Sequence, residues 1–132
     1  NAAISWQSKS QRSVALSTCE AEFMALSSAL QDALWLKRLR DELNPATRNR
    51  PIRLFEDNQG AIALAKDRKF SSKTKHMAIR YFFIRERLED GTVVLDYCKT
   101  QNMLADLFTK PIPRVAFERL RAMIGVIPRP KN

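Results

Sequence analysis

The chain has 132 residues, 45% hydrophobic and 28% charged, a balance that supplies one globular core and excludes a disordered tail. Lys and Arg outnumber Asp and Glu by 23 to 14, and the net charge of +9 favours polyanionic partners, nucleic acid ahead of an acidic membrane surface. Two cysteines, Cys19 and Cys98, one histidine and no bilayer-length apolar run argue against a disulfide framework, a zinc site and a membrane span. With no leader ahead of Asn1, an intracellular protein of the cytoplasm or nucleus is expected.

Ala3 to Gln11 alternates as a strand does, with Ile4 and Trp6 on one face. Ser17 followed by Glu20 is a capping box, and apolar residues then recur at helical spacing from Thr18 to Leu43, where Asn44-Pro45 stops the helix. At about 100° per residue, Leu26, Ala29, Ala33 and Leu36 share a face with Glu22, which puts this acid on the expected buried stripe. Glu20 falls with Ser27, Gln31 and Arg38 on the expected solvent face. A carboxylate on a buried face is paired, protonated or metal-bound, or else sits partly exposed where the helix dipole favours it.

Pro51 to Asp57 reads as a short strand ending in an acid, followed by Asn58-Gln59-Gly60 and the small-residue helix Ala61–Ala65. Strand, helix and strand at this spacing predict a parallel sheet, and functional groups of such sheets collect at the C-terminal ends of their strands, where Asp57 stands. Asp57 has an equally good reading as the N-cap of the next helix. Lys66 to Arg87 holds eight basic residues and two acidic ones, Asp67 and Glu86. Thr74 caps an expected helix from Lys75 to Glu89, and His76 at its entry reads as a hydrogen-bonded structural residue. Thr92 to Cys98 is a β-branched strand. Asp106 stands early in an expected helix Met103–Phe108, which Pro111 and Pro113 end before a last helix, Arg114–Ile124. One domain, residues 1–125, and a tail, 126–132, are expected.

Glu22, Asp57 and Asp106 are thus three acids near element ends. Carboxylates without histidine or cysteine suit the hard cations Mg²⁺ or Mn²⁺, a pair of which can activate water against a phosphodiester. Lys66, Arg68, Lys69, Lys73 and Lys75 would hold the polyanionic backbone, with Asn58 and Gln59 beside the acid.

Ile4-Ser5-Trp6-Gln7-Ser8-Lys9, Val14 to Leu26, Trp35-Leu36, Asp57-Asn58-Gln59, Lys73-Thr74-Lys75-His76, Arg85-Glu86, Leu104-Ala105-Asp106 and Thr109-Lys110-Pro111 occur in one order. In that order they closely resemble the ribonuclease H domain at the C-terminal end of copia-type retrotransposon polyproteins, over residues 3–125. The resemblance implies metal-dependent cleavage of RNA in RNA–DNA hybrids by four acids on a mixed sheet flanked by helices. Three of those acids map to Glu22, Asp57 and Asp106; the fourth belongs to a first strand upstream of Asn1. The chain departs from the family also at Ser71 and Phe82, near which histidines usually stand, and at Ala78, near a usual acid.

The expected fold is a truncated ribonuclease H-like α/β domain, with flanking helices on a mostly parallel sheet of about three strands. Ile4–Ser10 would pair beside the strand at Ile52. Alternatively, exposed sheet edges would pair in a homodimer or accept complementing N-terminal strands. Expected partners are an RNA–DNA hybrid or other nucleic acid, and no membrane. Cleavage by this chain alone is expected to be weak or absent. The alternative is a non-catalytic, domesticated nucleic-acid-binding or protein-interaction module; a helix-turn-helix protein ranks last.

Overall fold

The computed structural model describes residues 3–11, 13–67 and 77–127. The chain divides into two compact units, one of residues Ala15–Tyr97 and the other of Asn1–Val14 with Cys98–Asn132. The first unit holds helix α1 (Thr18–Leu43), strand β1 (Ile52–Glu56), helices α2 (Gln59–Lys66) and α3 (Ala78–Glu89), and strand β2 (Val93–Tyr97). The second unit holds the short helix α4 (Asp106–Thr109) and helix α5 (Arg114–Met123).

The fold is mixed α/β, a small parallel sheet with flanking helices, consistent with part of a ribonuclease H-like fold. β1 and β2 pair in parallel with Ile52 opposite Val93 and Glu56 opposite Tyr97. Parallel strands need a crossover, and α2 and α3 both lie within it. The sheet has two strands among the described residues, where about three were expected. The missing one is Ala3–Gln11, which forms no strand. Its described residues are exposed, Ile4 to 83%, and alternation alone makes no strand where no edge pairs it.

The core of the first unit is built from Phe23, Leu26 and Leu30 of α1, Ala61 and Ala65 of α2, Tyr81 and Ile84 of α3, and Val93 and Leu95 of β2. Full burial of a side chain such as Phe23 or Leu30 contributes roughly 1.5–3 kcal/mol. Gly60 lets α2 approach α1 closely, since a Cβ there would lie 3.1 Å from Cys19 Sγ. Tyr81, buried on α3, donates its hydroxyl to the carbonyl of Asp67, tying α3 to the end of α2.

The buried face of α1 is rotated from its expected position. Phe23, Leu26, Ser27 and Leu30 define it, because large side chains set the packing while Ala29 stays exposed and Ala33 half-exposed. That rotation brings Glu20 into the interior and moves Glu22 to the margin. Ser17 caps α1 as expected, its Oγ accepting the Glu20 N–H at 3.1 Å. Glu20 is 5% exposed, however, and does not face solvent. Its Oε2 accepts the Leu16 N–H at 2.8 Å, so the chain entering the helix covers it. No helix among the described residues is long and apolar enough to cross a membrane.

Candidate metal centre

β1 positions the site by its alternation. Ile52, Leu54 and Glu56 lie on the inner side of the strand, while Arg53 and Phe55 are exposed. Glu56, the last of the inner residues, is 6% exposed. Asp57 follows immediately, half-buried, and Glu22 reaches the same place from the margin of α1. Glu22, Glu56 and Asp57 each bring a carboxylate oxygen within 4.8 Å of the other two.

The turn that carries Asp57 is clamped on both sides. Glu56 Oε1 accepts the Asn58 N–H at 3.0 Å, and Asn58 Oδ1 accepts the Ala61 N–H at 3.1 Å. Asn58 is therefore the N-cap of α2, and Asp57 does not have the capping role that competed with a site role in the sequence. Burial, and behind it the charges of Glu22 and Asp57, push the Glu56 carboxyl up to about 7, against the pull of the Asn58 N–H. Three carboxylates held this close repel one another, and a hard divalent cation is the ligand that such an oxygen donor set fits. Sulfur chemistry is disfavoured beside it: burial, then Glu56 and Glu20, push the Cys19 thiol up, away from the thiolate.

Of the acids expected from the sequence, Glu22 and Asp57 come together, and Glu56 joins them. Glu56 was missed, yet a period of two from Ile52 through Leu54 places it on the inner face. Asp106 lies in the second unit, 7% exposed and ion-paired with Lys110 at 2.9 Å in the first turn of α4. Asn58 is occupied as a cap, while Gln59 and Lys66, at the two ends of α2, are exposed. Arg68, Lys69, Lys73, Lys75 and His76 lie outside the described residues. Farther along the basic run, Arg85 pairs with Glu89 and Arg87 with Glu86 and Asp90. A cleft of about 770 Å³ between the start of α1 and α2 is lined by Leu16, Cys19, Leu64 and Met77; Glu22, Glu56 and Asp57 are not among its walls.

The chain is 39% identical over 124 residues, 94% of its length, to the retrovirus-related Pol polyprotein from transposon TNT 1-94 of Nicotiana tabacum. It is 37% identical over 98% of its length to the Pol polyprotein from transposon RE2 of Arabidopsis thaliana, and 37% identical over 93% to that from transposon RE1 of the same plant. These homologues are copia-type retrotransposon Pol polyproteins, and the chain spans only 8–9% of their length. No protein-family model matches the chain, and no solved structure does.

Proposed function

We infer that this segment is the part of a copia-type ribonuclease H domain that holds divalent metal and receives an RNA–DNA hybrid. The observation that carries the reading is the meeting of Glu22 and Asp57, acids far apart in sequence, within one carboxylate cluster. Glu22, Asp57 and Glu56 would hold Mg²⁺ or Mn²⁺, which when bound supplies Lewis-acid stabilisation of charge on a phosphodiester and a more acidic water. Glu22 and Asp57 offer the oxygens, β1 and α1 fix their spacing, and the Glu56–Asn58 hydrogen bond holds the turn between them. Asp106 is the third family acid by motif. Lys66, with Arg68, Lys69, Lys73 and Lys75 in the adjoining segment, provides the positive charge that a hybrid backbone needs, and Gln59 offers a neutral amide at the start of α2.

The test is incubation of the purified chain with a labelled RNA–DNA hybrid and Mg²⁺ or Mn²⁺, beside Glu22→Gln and Asp57→Asn. Salt-sensitive hybrid binding is expected, and any cleavage should vanish in both variants. Cleavage that survives both substitutions, or no binding of the hybrid at low salt, would contradict the reading. Binding without cleavage under every metal condition would favour the non-catalytic module.

A further inference from the structure

The second half of α1 is organised differently from the first. One side of it is braced by the turn that follows the helix: Lys37 Nζ donates to the Arg48 carbonyl at 2.8 Å, and Arg40 Nη2 to the carbonyls of Thr47 and Arg50 at 3.1 and 3.0 Å. Thr47 Oγ1 donates to Asp41 at 2.8 Å on the same side. The opposite side carries Trp35, Leu39 and Leu43, spaced four apart and exposed by 62%, 41% and 78%. Arg38 and Glu42 flank this stripe, and among the described residues neither takes part in an ion pair. A rigid helix with an uncovered apolar stripe and two unspent opposite charges is a preorganised docking face.

We propose that this face binds a second copy of the same chain, the two α1 helices lying antiparallel about a two-fold axis through Leu39. In that arrangement the stripe meets itself and the charged flanks match, whereas a parallel two-fold would set the Arg38–Glu42 flank against the opposite side of the stripe. Leu39 meets the second copy's Leu39, and Trp35, four residues before it, meets the second copy's Leu43. The antiparallel two-fold brings like flanks together, so Arg38 lies beside the second copy's Glu42, offset along the axis by about 3 Å. Both ion pairs form at once, and the charges that α1 leaves unmatched are matched. The contact covers one helix half, short of the roughly 800 Å² per partner of a stable complex, so the dimer is a weak one that forms as concentration rises.

Sedimentation velocity of the whole chain from about 5 to 500 μM, near 0.15 M salt, tests this. The weight-average mass should climb above the 15.2 kDa monomer across that range. Leu39→Glu should stay monomeric throughout with an unaltered thermal melt. Arg38→Glu should weaken association roughly five- to tenfold, and Arg38→Glu combined with Glu42→Arg should restore it, a rescue that a nonspecific apolar contact would not give. A wild-type monomer at every concentration overturns the proposal. So does association that Leu39→Glu leaves intact, or that the double reversal fails to restore.

Discussion

Two carboxylates in the first unit, Asp41 near the end of α1 and Glu56 at the end of β1, meet opposite surroundings. Asp41 accepts from Lys37, Thr47 and Arg40, and the Lys37 hydrogen bond above all holds it down at about 2. Glu56 has the backbone N–H groups of Asn58 and Asp57 for company and two further acids, and burial pushes it up to about 7. The first arrangement satisfies a charge and thereby pins a turn. The second leaves repulsion standing where a folded protein would normally remove it. Such a concentration of like charge opposes folding, and it is a mark of a site whose balancing charge comes from a ligand.

The comparison breaks most severely if a cation is built into the second site. Glu22→Lys would give Glu56 a partner like the one Asp41 has in Lys37. Divalent-ion affinity should fall by at least about 100-fold, since loss of groups that merely support ligands already costs 10–100-fold. Isothermal titration with Mn²⁺ measures it.

A milder change is Glu56→Gln, which keeps the acceptor for the Asn58 N–H and removes the charge. Because the folded-state value lies above the ordinary 4.5, the folded chain binds the proton more tightly than the unfolded one. Stability from this group is therefore full below about 4.5 and declines as pH rises through about 7. Urea unfolding at pH 8 without metal should show Glu56→Gln more stable by on the order of 1–2 kcal/mol, allowing for screening at the rim of the site. The two proteins should converge near pH 4.5. A variant less stable than wild type at pH 8 would mean that Glu56 is not strained.

The smallest effect is expected at Asp41→Asn. Asp41 is held low, so its contribution is present above its ordinary value of 3.8 and lost as pH falls towards about 2. The variant should melt below wild type at pH 7, and the gap should close on acidification. Melting curves from pH 2 to 7 give the answer.

Much of this arrangement is legible in the sequence. The limits of α1, its Ser17 cap, the two parallel strands and the last helix follow from periodicity and breakers. The roles of particular acids were less legible, because each depends on what packs against its element. A helical wheel weights Ala29 as it does Leu30, so the face it predicts is turned away from the real one and exchanges Glu20 with Glu22. Asp57 could have capped α2, until Asn58 proved to be the cap. Glu56 becomes legible only when the inner row from Ile52 and Leu54 is followed to its third member. Ala3–Gln11 has the pattern of a strand, but pairing is a property of two segments, and one segment's alternation does not supply the other.

We propose that the end of β1 is a divalent-cation site built by Glu22, Glu56 and Asp57. Its most direct test is Mn²⁺ binding at pH 7.5, followed by the electron paramagnetic resonance signal of free Mn²⁺, for wild type and Asp57→Asn with matched thermal melts. Saturable uptake by wild type, lost in Asp57→Asn, is the result expected. No uptake by wild type, or equal uptake by both proteins, would contradict it.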